Sequence, residues 1–317
     1  MGIASDYFSS SVCGTARVLK EALVIFSRNM KLFSAIALLV FIPSALFFLV
    51  EEIVIKPQTT EFLAKFVELN SDPSKLSPLF KRAIFFLSEQ LSLLALLWIF
   101  SVFSMVINIC ASSAIYCSNQ KEHPSLGELL GNIRTPWKRA AITWVYVTLF
   151  NMGLATAFVL AEMPITQRSW AFTVLKYSLT GSYYLINLFL VVVWNMGVAV
   201  SALEDGKYGM KALSKAWGLV MNGRMFQGFL LAALLSLITL PVSAIRGWKV
   251  LGSDDQKSVL VPLILGVLSV GISVLLQLFA YAAYTVFYYE CKKSDGEKMD
   301  LDEKGRYSII SLSSSSS

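Results

Sequence analysis

The sequence predicts an all-α fold: a polytopic bundle of six transmembrane helices, arranged as three hairpins that are each preceded by an amphipathic helix at the cytosolic interface. Of the 317 residues, 56% are hydrophobic and only 15% are charged, whereas soluble domains carry about 25% charged residues. The apolar residues form six nearly uncharged runs, each long enough to cross a bilayer at about 20 residues per span. A segment with helical apolar spacing precedes every second run. The composition excludes a water-soluble globule.

The runs define one membrane domain, residues 15–290, between an N-terminal cytosolic segment at 1–14 and a tail at 291–317. The predicted spans lie near residues 32–50, 91–113, 140–161, 179–203, 225–245 and 259–289. Pro43 and Pro241 lie inside the first and fifth spans, where proline removes a backbone hydrogen bond and kinks a helix. The tail is charged and then serine-rich, a composition that predicts disorder.

The distribution of basic residues predicts the orientation of the spans. With six spans both termini lie on the same side of the membrane. That side carries 17 of the 27 Lys and Arg residues, and the loops on the opposite side carry the other 10. Because short cytosolic loops are enriched in Lys and Arg, we expect both termini to be cytosolic. The choice between an endomembrane and the plasma membrane stays open.

Three segments on the predicted cytosolic side have the i, i+3, i+4, i+7 spacing of an amphipathic helix. Their apolar stripes are Leu19, Ala22, Leu23 and Phe26; Leu126, Leu129, Leu130 and Ile133; and Leu213, Ala216, Trp217 and Val220. Each stripe ends five to seven residues before a span. We interpret the three as copies of one unit: interfacial helix, basic elbow, transmembrane hairpin. The candidate interfacial basic residues are Arg28, Lys31, Arg134, Lys138, Arg139, Lys215 and Arg224.

These helices allow two interpretations. They could lie among anionic headgroups with Lys and Arg near the phosphates, or they could only pack against the cytosolic end of the bundle. The expected partners are membrane lipids, together with partner proteins or a second copy of the chain. Nucleic acid is not expected, because the basic residues are spread through short loops instead of being clustered on one soluble face.

Two segments carry a family resemblance. The first is ARVLKEALVIFSRNMKLFSAIALLVFIPSA; the second, SALEDGKYGMKALSKAWGLVMNGRMFQGFLL, contains Glu204, Gly209, Ala212, Leu213, Lys215, Gly218, Leu219, Gly223 and Arg224. They resemble the membrane domain associated with some glycerophosphodiester phosphodiesterases. Over residues 15–290 the chain also resembles plant six-span membrane proteins. The resemblance implies a multi-pass membrane domain, but no segment corresponds to a phosphodiesterase catalytic domain, so it implies no such activity.

The sequence contains no catalytic, metal-binding or cofactor-binding constellation. His123 is the one histidine, and the four cysteines form no CxxC pair of the kind that zinc sites use. Cys117 and Cys291 end apolar runs, where either S-palmitoylation or simple burial is possible. Glu204 and Asp205 are adjacent at the end of the fourth span. We interpret them as part of a turn, with a lipid-modifying site as a remote alternative.

Amide side chains are the polar groups at membrane depth. They are Asn108, Asn151, Asn187, Asn195 and Gln277. Such amides usually hydrogen-bond between helices, although they can also line a conduction path. We therefore expect a non-enzymatic membrane protein that organises lipid or partner proteins at the cytosolic leaflet. The alternative is a transporter or channel for a small or amphipathic solute.

Overall fold

A computed structural model describes residues 2–61, 76–117, 126–162, 170–222, 224–251, 260–295, 300–301 and 307–308. The described residues are almost entirely helical, which confirms the predicted all-α class. The helices in chain order are α1 (Gly2–Arg28), α2 (Met30–Val50), α3 (Leu76–Cys117), α4 (Leu126–Asn132), α5 (Arg134–Glu162), α6 (Trp170–Leu203), α7 (Met210–Met221), α8 (Met225–Leu251) and α9 (Leu260–Ser294). Helix α2 continues through a π-helical turn, Glu51–Ile55, as far as Glu61.

The prediction of six spans is confirmed. Within the described residues, six helical segments are long and apolar enough to cross a membrane: Met30–Glu61, Ser88–Cys117, Arg134–Glu162, Thr173–Leu203, Met225–Val242 and Leu263–Ser294. Each overlaps one of the predicted spans. Helices α2 and α8 continue through Pro43 and Pro241, so neither proline ends its helix.

The helices at both ends of the predicted membrane domain extend past its predicted boundaries. Helix α1 begins at Gly2 and passes the expected boundary at residue 15 without a break. Helix α9 passes the expected start of the tail at residue 291 because Cys291 and Lys292 are still buried and extend its packed face. Farther on, Asp300–Leu301 (β1) pairs antiparallel with Tyr307–Ser308 (β2), and Leu301 lies opposite Tyr307. The other residues of the predicted tail, beyond Asp295, lie outside the described residues.

Contacts within the chain divide it into two compact units. Unit 1 comprises Met1–Phe33, Met105–Ile238 and Leu278–Ser317, and unit 2 comprises Ser34–Ser104 and Thr239–Gln277. The core of unit 1 follows α6 and α9, where Met196, Leu278 and Phe287 are fully buried. In unit 2 the buried side chains include those of Ile36, Val102 and Val270.

The buried face of α1 differs from the predicted stripe. The buried residues are Thr15, Val18, Ala22, Ile25 and Asn29, which alternate by three and four positions like the seam of a coiled coil. Of the predicted stripe only Ala22 belongs to this face, and Leu23 is 59% exposed. The predicted stripe and the covered face differ because α1 carries apolar residues on two adjacent faces, and spacing alone does not say which of them contacts the protein.

The other two predicted stripes are partly buried. In α7 the buried residues are Ala212, Ala216, Leu219 and Val220, whereas Trp217 is 43% exposed. Helix α4 has only seven residues, and Ile133, the last residue of the predicted stripe, is buried directly after the helix. In α7 the covered face therefore includes Ala216 and Val220 of the predicted stripe but leaves Trp217 exposed.

Each of the three segments joins the next long helix over a very short break. Only Asn29 separates α1 from α2, and only Ile133 separates α4 from α5. The break between α7 and α8 covers residues 222–224. At the first break, the backbone amides of Leu32 and Phe33 donate to the carbonyl oxygen of Asn29. In each case one to three residues connect the two helices.

A close helix contact at Gly228 gives a test of the packing in unit 1. A Cβ atom at this position would lie 3.1 Å from Cγ1 of Val192 and 3.2 Å from Cζ of Phe287. We expect Gly228→Leu to lower the free energy of unfolding in detergent by about 1–3 kcal/mol, because overpacking forces the neighbours apart. Gly153→Leu is the matched control, since no described atom lies within 4 Å of its Cβ position. Equal losses from both variants would contradict the described packing.

Candidate functional site

The candidate site lies in unit 1, where the chain turns from α6 into α7. Helix α6 ends at Leu203 and α7 begins at Met210. Gly206 and Gly209 adopt φ angles of 77° and 60°, which side chains with a Cβ rarely tolerate. The amide of Gly209 donates to the hydroxyl of Thr143 at 2.8 Å. The turn is thereby attached to α5, and Glu204, its first residue, is buried.

The centre of the site is the carboxylate of Glu204, whose side chain is 1% exposed. The hydroxyl of Tyr288 in α9 donates to Oε1 at 2.6 Å. The ammonium group of Lys215 in α7 lies 2.9 Å from each carboxylate oxygen. Two more lysines are close, with Nζ of Lys207 at 3.4 Å and Nζ of Lys292 at 3.7 Å. One carboxylate therefore joins α6, α7 and α9.

Arg139 connects helix α5 to the same turn. Its guanidinium group donates to the backbone carbonyl of Glu204 at 3.2 Å and forms an ion pair with Asp205. The two adjacent carboxylates differ in their surroundings, because the side chain of Asp205 is 67% exposed. They do not converge on a common point, as paired catalytic carboxylates would.

A second buried carboxylate, that of Glu290 in α9, binds the N-terminal helix. Its Oε2 atom accepts hydrogen bonds from Arg17 in α1 and, at 3.1 Å, from Arg224, which directly precedes α8. Arg224 also donates to Oε1 of Gln227 at 3.4 Å, and the hydroxyl of Thr15 donates to the carbonyl of Gln227 at the same distance. Glu290 thus attaches α1 to the bundle by an ion pair, as Glu204 attaches α7.

The surroundings of Glu204 keep its carboxyl group ionised. Burial by itself raises the pKa of the group, but the hydrogen bonds from Tyr288 and Lys215 and the positive charges of Lys215 and Lys292 outweigh burial. The pKa of Glu204 therefore lies below its ordinary value. An ionised carboxylate whose oxygens already accept from a phenol and an ammonium group is suited to holding helices together.

The structure divides the predicted interfacial basic residues into two groups. Arg139, Lys215 and Arg224 form ion pairs with carboxylates, and their side chains are only 13–22% exposed. The remaining predicted residues have exposed side chains; they are Arg28, Lys31, Arg134 and Lys138. Only the second group therefore has side chains that are open to the surroundings of the protein.

The predicted intramembrane amides differ in their contacts and exposure. Asn108 donates to the carbonyl of Leu278 at 2.7 Å, and this hydrogen bond joins α3 to α9. The oxygen of the same amide accepts from Ser112 in its own helix. Asn195 donates to Val191 in its own helix. Asn151 is exposed and Asn187 is partly exposed, and Gln277 lines a cavity in unit 2.

Several residues of the site were missed in the sequence. They are Arg17, Lys207, Tyr288, Glu290 and Lys292. The available signal was the run YYECKK at residues 288–293, which places two aromatic, one acidic and two basic side chains at the end of the last span.

Within the described part of the chain, no group of three or more His, Cys, Asp or Glu side chains is arranged to hold a metal ion.

Removal of the central carboxylate should be far more destabilising than removal of its exposed neighbour. We expect Glu204→Gln to lower the free energy of unfolding by about 3–5 kcal/mol, because it leaves partly buried ammonium groups without their anion. Asp205→Asn should lower it by about 1 kcal/mol or less, since its ion pair is exposed on one side. Denaturant titration in detergent micelles measures both changes. Similar losses from the two variants would contradict the central role of Glu204.

The depressed pKa of Glu204 also predicts a pH dependence. The contribution of the ionised carboxylate to stability is complete above the pKa of an unfolded Glu, about 4.3, and is lost as the pH falls through the lower pKa of the folded state. The difference in unfolding free energy between the wild type and Glu204→Gln should therefore shrink below about pH 4.3. Denaturant titrations from pH 7 downwards measure it, and a constant difference would exclude a depressed pKa.

Comparison with known proteins places the whole membrane domain in one family. No curated protein and no solved structure matches the chain. A family model described as "Domain of unknown function (DUF8558)" matches residues 10–304, which include every residue of the site around Glu204 and Glu290. Because the match covers almost the full chain, the protein belongs to the DUF8558 family.

Proposed function

We propose that this integral membrane protein is non-enzymatic and organises lipids at the cytosolic leaflet, with both termini in the cytosol. Its short helices present basic and large apolar side chains to the headgroup layer, and partner proteins or a second copy of the chain could use the same surface. The orientation is supported by the excess of Lys and Arg on the side that carries both termini, as the positive-inside rule describes.

The exposed face of α7 is the observation that carries the proposal. Met210, Trp217 and Met221 are 63%, 43% and 42% exposed, and Lys211 is exposed beside them. The opposite face of the helix is buried against the protein. Large apolar and aromatic side chains next to a basic one are typical of helices that lie in the membrane interface.

Helix α1 has a similar outer face. Leu23 and Val24 are 59% and 37% exposed, and the basic side chains of Lys20 and Arg28 are exposed near them. Exposed apolar residues are ordinary on a helix that crosses a bilayer, but α1 precedes the first span and also carries charge. This combination supports contact with headgroups and the upper acyl chains.

The buried carboxylates support a fixed arrangement of these helices. Lys215 holds α7 through Glu204, and Arg17 holds α1 through Glu290. Because both acidic groups are engaged with basic side chains, they favour a structural role over general acid or base catalysis. A rigid surface of this kind selects lipids by charge without changing them.

The alternative is a transporter or channel for a small or amphipathic solute. Asn108 and Asn195 are engaged in hydrogen bonds to backbone carbonyls, which favours a packing role for these amides. One observation favours transport: Gln277 lines a cavity among α2, α3 and α9.

The lipid proposal predicts selectivity for anionic lipids in a reconstituted bilayer. In proteoliposomes, a spin-labelled anionic phospholipid should associate with the full-length protein more strongly than a spin-labelled zwitterionic one. The triple variant Lys20→Gln, Arg28→Gln, Lys211→Gln should lose most of this selectivity, since each basic residue near an anionic surface contributes about 1 kcal/mol. The relative association constants come from the motionally restricted part of the spin-label spectrum.

The matched control is Lys56→Gln, which removes an exposed lysine that is already paired with Glu52 in unit 2. It should retain the selectivity of the wild type. Equal association of both lipids with the wild type, or an equal loss in the control, would refute the role of α1 and α7 in lipid recognition.

A further inference from the structure

An open cavity of about 380 Å³ lies in unit 2, among α2, α3 and α9. It is within the range of small-molecule sites. Its α2 wall runs from Ser44 to Ile55, which is about 16 Å at the rise of an α-helix, so the space is elongated along the helix. None of the residues that line it takes part in the Glu204 or Glu290 contacts.

The walls of the cavity are mainly apolar. They include Phe47 and Phe48 of α2, Leu93 and Leu97 of α3 and Val274 of α9. Two serines also line it, but their hydroxyl groups donate to carbonyls of their own helices, from Ser44 to Val40 at 2.8 Å and from Ser273 to Ser269 at 2.7 Å. These bonds leave the serines no hydroxyl hydrogen for a ligand and make the walls less polar.

Charge is present at one position of the lining. Among the described residues that line the cavity, Glu51 is the one with an ionisable acidic or basic side chain. It forms no ion pair within the described part of the chain, because the nearby Lys56 binds Glu52 at 2.7 Å. Glu51 and Gln90 lie towards the end of α2 and the beginning of the second span, which places the carboxylate at the outer end of the cavity and Gln277 deeper along α9.

The backbone at this carboxylate is also unusual. The segment Glu51–Ile55 is π-helical, and the amide of Lys56 donates to the carbonyl of Glu51. Single π-helical turns are rare and occur frequently at functional sites. Val50, Glu51 and Ile55, at the two ends of this turn, all line the cavity. The π-helical turn therefore lies at the cavity and begins with Glu51, the acidic residue of its lining.

From this combination we propose that the cavity binds an amphipathic amine, with the ammonium group at Glu51 and the apolar chain between α2, α3 and α9. An elongated apolar space is complementary in shape to such a molecule, and a carboxylate that forms no ion pair within the described residues is complementary in charge to its ammonium group. A fatty acid would meet repulsion from Glu51, and a neutral alcohol would gain no ion pair. This site is separate from the lipid contacts of α1 and α7.

The test uses the full-length protein in nanodiscs and three photoreactive probes with the same alkyl chain: a primary amine, an alcohol and a carboxylic acid. The amine probe should label the protein saturably, at peptides from α2, α3 and α9, and an unlabelled long-chain amine should compete with it. Labelling to the same extent by all three probes would mean that the cavity holds only annular lipid, and would overturn the proposal.

Two pairs of variants examine charge and space separately. Glu51→Gln should raise the half-saturating concentration of the amine about fivefold, as expected for the loss of one ion pair near solvent. Glu89→Gln removes the carboxylate next to Gln90 in the sequence, which does not line the cavity, and should leave the value unchanged. Leu94→Trp fills the cavity and should abolish saturable labelling, whereas Leu96→Trp, at an equally exposed position outside the lining, should not.

All four variants change exposed or half-exposed positions, and thermal unfolding in detergent should remain near that of the wild type. Unchanged amine binding in Glu51→Gln, or retained saturable labelling in Leu94→Trp, would overturn the site. The outcome is independent of the anionic-lipid selectivity described above, because Lys20, Arg28 and Lys211 lie in unit 1.

Discussion

The ion pair between Glu204 and Lys215 is the interaction on which the arrangement of unit 1 depends. A carboxylate that is 1% exposed is tolerated only when hydrogen bonds and opposite charges replace its hydration. Tyr288 and Lys292 of α9 supply part of this replacement, and Arg139 of α5 binds the backbone of the same residue. The position of α7 is therefore determined by electrostatics as much as by its small apolar face.

The spans could be predicted from sequence because hydropathy is a local property of each run. The partners of the buried carboxylates could not, since Tyr288 lies 84 residues from Glu204 and Arg17 lies 273 residues from Glu290. Nothing in the local spacing of a single sequence connects such positions. The covered face of α1 was missed for a related reason, because Leu23 and Ile25 are equally apolar and only the neighbouring helices decide which of them is buried.

The basic residues at this end of unit 1 have two different roles. Arg139, Lys215 and Arg224 neutralise buried carboxylates, whereas Arg28, Lys31 and Lys138 remain exposed. A count of Lys and Arg per loop does not distinguish the roles, so it predicts an orientation but overstates the charge that is available to headgroups. The family match over residues 10–304 includes both groups.

The single-residue break at Asn29 has a consequence for the chain around it. The side-chain amide of Asn29 donates to the carbonyl of Ile25 in the last turn of α1, and the carbonyl of Asn29 accepts from the amides of Leu32 and Phe33 at the start of α2. The last carbonyls of a helix have no partner within it, so one buried residue supplies a donor to the helix that ends and an acceptor to the helix that begins. A residue without a side-chain donor at this position would remove the first of these two contributions.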